Sequence, residues 1–294
     1  MEAGGLNRPI GSGSVVGAAG GLDAPWFEPL RRWASRSDPR PTGCIDLGLL
    51  NWFADERGLR TECGLPIRFV DAATAPHGVF ERVIGETGAV PTRVQGAGML
   101  HDWFNALAWL AFPRTKARLN RLHVEAIAAS SCDAGSTCSS GHCAAPSRGK
   151  RRGPLRDAAT LLDESGAVFA SYDPALAAAL RRLDWQALFV NGRERFTTRV
   201  VVRVMGHGAL EKLLAPYKAL CAHAWVIDLE PATGECGIDD ALDACCATSL
   251  EPRALRAAAL CPLPLLGVPG WWPANEDPSF YADRGVFRTS RRAR

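Results

Sequence analysis

Long apolar runs, a strong net charge and the familiar catalytic signatures are all missing from this 294-residue sequence. No run of about 18 or more apolar residues is free of charge, so we expect no membrane-spanning helix. The N-terminus has no basic segment followed by an apolar one, so we expect no secretory signal and a cytoplasmic location. The net charge of +3 does not by itself require a nucleic-acid partner.

Signatures for phosphate loops, serine-hydrolase elbows, HExxH zinc helices and zinc fingers are absent as well. Each of them would have named a reaction class. Without them the reaction stays open, and candidate site residues must come from polar groups placed in apolar surroundings.

Cysteine is plentiful, with ten residues, but its spacing does not favour a metal site. Four cysteines stand singly among apolar neighbours and are expected to be small buried hydrophobes: Cys44, Cys63, Cys221 and Cys261. The segment SSCDAGSTCSSGHC, residues 130–143, has three thiols and an imidazole that could hold zinc. It contains no CxxC pair, however, and its Ser, Gly and Ala content is typical of an unstructured insertion.

The pattern along the chain predicts a helix-rich α+β fold in a single domain, with 47% hydrophobic content to build its core. We expect a disordered segment at 1–22, one globular domain at 23–290 with a flexible insertion at about 130–150, and a basic tail at 291–294. The sheet should be small and mostly antiparallel, with RFTTRVVVRVMG as its strongest strand. The C-terminal stretch LPLLGVPGWWPANEDPSFYADRGVFR is too rich in Pro, Gly and aromatics for regular structure, and we expect it to wrap across the body.

Several helices are indicated by their capping residues. CIDLGLLNWFADERG predicts a helix ended by Gly58. APWFEPLRRW predicts a short amphipathic helix whose inward residues are Trp26, Phe27, Leu30 and Trp33. DPALAAALRRLDWQALF predicts a helix capped by Asp173, with Pro174 in its first position. LRDAATLLDESGAVFASY, in contrast, predicts a hairpin that turns at DESG.

LHDWFNALAWLAFPRTKARLN, which starts at Leu100, is the most aromatic segment and carries polar groups at one end. On a helix His101 and Asn105 share a face, with Asp102 one step round. Capping and carbonyl bonds could satisfy these groups, or they could form one wall of a pocket, and we favour the pocket. Pro113 marks either a kink or the start of a new helix.

A helix that starts at Pro113 would place Arg114 and Lys116 in its first turn, beside free backbone amides. Such a terminus suits a phosphate or carboxylate. The alternative is that both bases are ordinary surface residues. Cations at a helix N-terminus are unfavourable without an anion, and such local conflicts are expected at functional sites.

Carboxylates flank the apolar run in RGPLRDAATLLDESG. On a strand, Asp157 and Asp163 would share a face and could hold a divalent cation or divide acid and base roles. Alternatively, Asp163 and Glu164 are simply good turn residues. His207, four residues before Glu211, is a further weak metal candidate.

Five blocks of the sequence together resemble the domain-of-unknown-function 3025 family of bacterial proteins. They are TGAVPTR, LHDWFNALAWLAFPRTKARLN, RGPLRDAATLLDESGAV, GHGALEKLLAPYKALCAHA and LGVPGWWPANEDPSFY. The resemblance covers roughly residues 25 to 290 and implies a proteobacterial, cytoplasmic, single-domain protein. It brings no established activity and no catalytic residue, and the segment from Ser130 to Ser147 is not part of the pattern.

The leading hypothesis is an enzyme, a hydrolase or transferase that acts on a small anionic or phosphorylated substrate. Catalysis is assigned to His101, Asp102 and Asp157. Substrate binding is assigned to residues with amide or cationic groups: Asn105, Arg114, Lys116 and Arg156. The cofactor is left open, with a divalent metal ion as the candidate and three weaker candidate ligands: Asp163, Glu164 and His207.

Two other function classes stay open. The basic run from Arg148 to Arg156, the cationic helix after Pro113 and an aromatic pair expected to be exposed, Trp271 and Trp272, would also suit a non-catalytic RNA- or nucleotide-binding protein. The same tryptophans could anchor a protein–protein contact. The oligomeric state is not indicated by the sequence.

Overall fold

A computed structural model of the protein describes residues 21–132, 153–230 and 238–289. The N-terminal segment predicted to be disordered, at 1–22, lies almost wholly outside these ranges. The basic tail at 291–294 and nearly all of the insertion predicted at about 130–150 lie outside them too, together with its histidine and all but its first cysteine. Nothing in the described ranges therefore bears on zinc binding by that insertion.

The described residues are rich in helix. In chain order the α-helices are α1 (Arg31–Ser37), α2 (Leu47–Arg57), α3 (Phe80–Thr87), α4 (Met99–Ala111), α5 (Pro113–Cys132), α6 (Pro154–Ser165), α7 (Pro174–Arg182), α8 (Arg193–Arg199), α9 (His207–Lys212) and α10 (Ile238–Ser249). The strands are β1 (Arg68–Asp71), β2 (Ala89–Thr92), β3 (Gly166–Ser171), β4 (Val200–Val204), β5 (Cys221–Asp228) and β6 (Cys261–Pro264). None of the helices in the described ranges combines the length and the apolar character needed to cross a bilayer.

The strands of the described ranges form a four-stranded sheet, in the order β4-β3-β5-β6, and a separate pair, β1-β2. In the larger sheet β3 runs parallel to β5, while the edge strands β4 and β6 are antiparallel to their neighbours. All six residues of β3 are buried, because this inner strand also packs against α6, α7 and α10. The helix-rich α+β prediction is confirmed, and the parallel β1-β2 pair adds a second sheet to it.

Helix α4 lies in the middle of the molecule, and every residue from Trp103 to Ala111 is buried. It begins after Gly98, whose φ of +87° and close approach by the Arg93 guanidinium leave no room for a side chain. Pro113 is the first residue of α5, so a new helix rather than a kink follows α4.

The hairpin predicted for residues 155–172 is wrong in its first half. That half is helix α6, which leads directly into strand β3. The buried side chains of α6 are Ala158, Ala159 and Leu162, a spacing that matches one face of a helix. Asp157 and Asp163 therefore do not share a face, since six residues turn a helix by about 600° at about 100° each.

Two other elements are shorter than predicted. The first part of RFTTRVVVRVMG belongs to α8, and only Val200–Val204 is strand. Helix α7 begins after the Asp173 cap as predicted, but its last residue is Arg182. The next residue, Leu183, has a φ of +56° and ends the helix. A short π-helical turn, Gln186–Val190, then follows instead of a continued helix.

The prediction that four isolated cysteines are buried is also wrong. Cys44, Cys63 and Cys221 are exposed, and Cys261 is half-buried. Cys44 and Cys63 lie outside the helices and strands, while Cys221 and Cys261 begin neighbouring strands β5 and β6. Apolar neighbours along the chain therefore did not indicate which way each thiol faces.

The C-terminal stretch contains short 3₁₀ turns after β6, in agreement with the irregular wrap predicted for it. Asn275, fully buried, donates from Nδ2 to the carbonyl oxygens of Leu266 and Val268, both at 2.8 Å. Arg193 donates to the Oδ1 of Asn275 at 3.1 Å and so ties the wrap to α8.

Trp271 does not have the exposure that a nucleic-acid or protein contact would need. It is buried, with its ring 6.2 Å from the ring of Trp26, and its neighbour Trp272 is half-buried. The prediction of an exposed pair at this point is wrong, because the wrap folds Trp271 back onto the start of the domain.

Candidate functional site

Three helix ends meet at one point and bring together two imidazoles and a carboxylate. His101 lies in the first turn of α4, Glu164 in the last turn of α6, and His207 is the first residue of α9. One ligand atom from each of the three lies within 4.8 Å of the others. Two imidazole nitrogens and a carboxylate at such separations are typical of a transition-metal centre.

Two glycines allow α9 to start against the end of α6. A Cβ on Gly208 would lie 2.9 Å from Oε2 of Glu164 and 3.1 Å from its carbonyl oxygen. A Cβ on Gly206 would lie 2.3 Å from the backbone nitrogen of Gly166. The GHG sequence is thus the local reason why His207 can approach Glu164 so closely.

Both histidines turn the same ring nitrogen towards Glu164. Nε2 of His207 is 3.4 Å from Oε1 and Nε2 of His101 is 3.8 Å from Oε2 of this carboxylate. The Nδ1 atoms face outwards: that of His101 lies 3.1 Å from Oε2 of Glu211, and that of His207 lies 3.9 Å from Oδ2 of Asp163. Metal-bound histidines commonly show this arrangement, with the second nitrogen directed at a carboxylate that orients the ring.

Electrostatics keep the acidic groups of the site ionised. The hydrogen bond from His207 holds the pKa of the Glu164 carboxyl below its usual value, against the effect of desolvation. Burial on its own would raise the pKa of Asp163, but the charges of Lys116 and His207 outweigh it and lower this pKa to about 2. Both carboxylates are therefore ionised at neutral pH, and Glu164 is the one available to a cation.

The site opens into a cavity of about 220 Å³. The residues that line it include predicted site residues and several that were not predicted: Phe80, Glu81, Arg93, His101, Asp102, Asn105, His123, Thr160, Asp163, Glu164 and His207. This volume is small compared with binding pockets for drug-sized ligands, which usually span about 300–1,000 Å³.

With this geometry in place, the chain can be compared with known proteins. A family profile described as "Protein of unknown function (DUF3025)" matches residues 67–291, which is most of the chain. The chain belongs to the DUF3025 family. Neither curated proteins nor solved structures give a match. The matched range of this DUF3025 protein contains all three residues of the His-Glu-His cluster.

Most of the residues assigned to the site by sequence are brought together in this DUF3025 chain. His101, Asn105, Asp163, Glu164 and His207 line one cavity. Of these, Asp163, Glu164 and His207 were predicted from sequence only as weaker metal ligands, in segments separate from His101.

Asp102 also lines the cavity, but its carboxylate is held by Arg93. The guanidinium donates to both carboxylate oxygens, at 2.8 and 2.6 Å, and the backbone N–H of Arg93 donates at 2.6 Å. Asp102 forms no side-chain hydrogen bond that caps α4. It does not orient His101 either, because the ring of His101 is hydrogen-bonded to Glu211.

Lys116 lies behind the cavity wall rather than at an open helix end. Its side chain is buried, donates to Oδ1 of Asn105 at 2.8 Å, and forms an ion pair with Asp163. Arg156 lies beside Glu81, with a nitrogen 3.7 Å from Oε1. Asp157 is exposed and does not line the cavity.

The N-terminus of α5 is occupied by an anion of the protein itself. The Asp243 carboxylate accepts from the backbone N–H groups of Arg114 and Thr115, both at 2.9 Å. Arg114 lines a different groove, and Lys116 turns away to Asp163, so the two bases do not converge on one ligand. The conflict of cations at this terminus is relieved by Asp243.

His123, Thr160, Glu81 and Glu211 were not assigned to the site from sequence. His123 lies seven residues after Lys116, on the same face of α5, and that helical spacing was the available signal. Most of the basic run considered for nucleic-acid binding lies outside the described residues, so that alternative stays a prediction.

Proposed function

We propose that this protein is a metal-dependent hydrolase whose centre is formed by His101, Glu164 and His207. The observation that carries the proposal is the inward direction of both Nε2 atoms, combined with outward Nδ1 atoms that face Glu211 and Asp163. Histidines that meet by chance on a surface would not be expected to have a carboxylate near both nitrogens of each ring.

The charge of the cavity also favours a divalent cation. Three carboxylates near it are already paired with bases: Asp102 with Arg93, Asp163 with Lys116, and Glu81 with Arg156. Among the described residues, Glu164 and Glu211 are paired with the two imidazoles, and Arg93 also attracts Glu211. A divalent ion would balance these two negative charges, which are costly to leave together in a partly buried site.

Two histidines and one glutamate form the ligand set of many hydrolytic zinc centres and leave a fourth position open. Such an ion would supply Lewis-acid activation of water for hydrolysis at neutral pH. Glu211 holds the His101 ring in position by a hydrogen bond, while Asp163 attracts the Nδ1 side of His207 from 3.9 Å. The Arg93–Asp102 pair stabilises the start of α4 that carries His101.

The cavity size restricts the substrate to a small molecule, in keeping with the anionic or phosphorylated substrate expected from sequence. A bacterial cytoplasm stays the expected setting, and a transferase that uses the same ion is the alternative within the enzyme class.

The first experiment measures metal binding by the purified full chain after chelator treatment and reloading with Zn²⁺, Mn²⁺ or Fe²⁺. We expect one ion per chain, and we expect His207→Ala and Glu164→Ala to weaken binding by at least about 100-fold, because each removes one of three ligands. The matched control is His77→Ala, since His77 is exposed on a loop outside the cavity. Full binding by both ligand variants, or no binding by the folded wild type, would falsify the proposal.

A second measurement follows hydrolysis of small phosphate and carboxylate esters by the reloaded protein. Activity should appear with the ion and should be lost in the same two variants, while His77→Ala keeps it.

A further inference from the structure

Buried polar atoms without a hydrogen-bond partner are concentrated near the proposed metal centre. In the described ranges they are Trp26 Nε1, His123 Nδ1, Arg156 Nε, Thr160 Oγ1 and His207 Nδ1. Each such atom destabilises the folded state, because it has lost its hydrogen bonds to water, so such atoms are rarely clustered without a reason. His207 Nδ1 lies 3.9 Å from Asp163 and belongs to the metal centre itself. Three atoms on α5 and α6 then remain to be explained, and two of them, on His123 and Thr160, belong to residues that line the cavity.

These three atoms belong to one wall, formed by two helices in contact. Arg156 and Thr160 are one turn apart on α6, and Glu164 of the metal centre lies one turn further along the same face. His123 comes from α5, which packs against α6, and both His123 and Thr160 line the cavity. At about 1.5 Å per residue, Thr160 lies about 6 Å and Arg156 about 12 Å along the helix from Glu164.

His123 provides the clearest sign of a missing ligand. It is only 4% exposed, it lines the cavity, and its Nδ1 has no partner. The nearest carboxylate oxygen, Oε1 of Glu81, is 3.9 Å away, which is beyond hydrogen-bond distance. Burial lowers the pKa of this imidazole, so it is a neutral group that can donate one N–H.

All three unpartnered atoms can act as donors. The Nε of arginine donates only, a threonine hydroxyl donates or accepts, and Nδ1 of neutral histidine donates in one tautomer. Glu81 forms an ion pair with Arg156 but no hydrogen bond, because the nitrogen–oxygen distance is 3.7 Å, and Nε of Arg156 keeps no acceptor. Two donors on cavity-lining residues, with a guanidinium one helical turn before Thr160 on α6, fit a ligand group with several acceptor oxygens.

We propose that Arg156, Thr160 and His123 bind the oxyanion of the substrate, a carboxylate or a phosphate, while its reacting bond lies at the metal centre. This inference rests on the proposed hydrolase and names the substrate class of the same site. The substrate is then a small anionic molecule whose charged group is separated from the bond to be broken by roughly one to two helical turns, about 6–12 Å.

The decisive variant is Thr160→Val, which has nearly the same shape and lacks the hydroxyl. Inorganic phosphate and succinate are titrated separately into the full chain, with and without Zn²⁺, by calorimetry. We expect Thr160→Val to weaken binding of the preferred anion by about 10- to 100-fold, the range of one lost hydrogen bond to a charged group. Its melting temperature should stay unchanged or rise, because the hydroxyl has no partner in the free protein.

A structural role for Thr160 predicts the reverse, a lower melting temperature and an unchanged affinity. Arg156→Lys keeps the positive charge but loses the Nε donor, and it should weaken the same anion by a similar factor. The matched control is Thr198→Val on α8, whose hydroxyl donates to a backbone carbonyl away from the cavity and whose loss should leave anion affinity unchanged. Preference for phosphate or for succinate identifies the kind of oxyanion.

The inference is overturned if neither anion binds at millimolar concentration, or if Thr160→Val and Arg156→Lys bind as tightly as the wild type. Its failure can be told from failure of the metal centre. Metal binding that depends on His207 together with anion binding that ignores Thr160 removes only the oxyanion subsite. Anion binding that depends on Thr160 in a chain that holds no metal supports the subsite and removes the hydrolase.

Discussion

Lys116, on helix α5, is an almost fully buried base. Its ammonium lies between the carboxylate of Asp163 and the amide oxygen of Asn105, with the ring of Trp109 5.6 Å away. A buried charge is tolerated only when it is paired and hydrogen-bonded. Asp163 therefore has two roles, because it neutralises Lys116 and also faces His207.

Removal of the Asp163 charge should be strongly destabilising. We expect Asp163→Asn to lower the free energy of unfolding by about 3–5 kcal/mol, since it leaves the Lys116 ammonium buried without a counter-charge. The double variant Asp163→Asn with Lys116→Met should recover much of this loss, because it removes both charges. Urea denaturation of the three proteins measures the difference. Equal stability of the single and double variants would show that Lys116 finds another partner.

At the scale of elements, the site depends on how α9 begins against the end of α6. Gly208 leaves the space that the Glu164 side chain occupies, and the flexible carboxylate would be the first group to move if that space were filled. Glycine at position 208 is therefore needed for the metal site and not for helix α9, because alanine is the better helix former.

Gly208→Ala should consequently weaken metal binding by about 10- to 100-fold, the range seen when the support of a ligand is disturbed, with little change in melting temperature. Gly153→Ala is the matched control, because a Cβ at that position meets nothing within 4 Å. Metal titration and thermal denaturation of both variants make the comparison. A large fall in melting temperature with unchanged metal affinity would assign Gly208 to folding alone.

Elements with capping signals were predictable from sequence, and those decided by tertiary packing were not. Gly58 ends α2, Pro113 starts α5 and Asp173 caps α7, each by a rule that needs only a few neighbouring residues. The DESG stretch, in contrast, satisfies both a turn and a helix end. The choice was made by Leu162 and the two alanines of α6, which pack inside the core.

The candidate site was predictable only in its parts. His101 and Asn105 stood out because polar groups in an apolar helix need partners, and both line the cavity. The meeting of positions 101, 164 and 207 could not be read from spacing, since the three belong to helices that are brought together by the whole fold. The supposed anion site at α5 failed for the same reason, because Asp243 arrives there from the distant helix α10.

At the scale of the whole molecule, the C-terminal wrap is held by one polar residue in an aromatic setting. Asn275 satisfies two buried carbonyl groups and accepts from Arg193, so four hydrogen bonds depend on its side chain and backbone. Around it the rings of Phe189, Tyr281 and Phe287 lie within 6.5 Å of one another.

Asn275→Ala should lower the free energy of unfolding by about 2–4 kcal/mol, because it leaves buried acceptors unsatisfied. Metal affinity of the folded protein should not change, since the wrap does not line the cavity. Asn191→Ala, at an exposed position, is the control and should be neutral. Urea denaturation and limited proteolysis at the C-terminus provide the measurements, and a neutral effect of Asn275→Ala would show that the aromatic contacts suffice.

The scatter of the three metal ligands along the chain has a consequence for how long the protein survives. In an unfolded chain His101, Glu164 and His207 are far apart, and such a chain cannot chelate the ion with all three. An ion that binds only the folded state shifts the folding equilibrium by mass action, by about 2.7 kcal/mol at a concentration one hundred times its Kd. Metal supply would then govern the abundance of this protein, because starvation for the ion would leave more chains open to proteases.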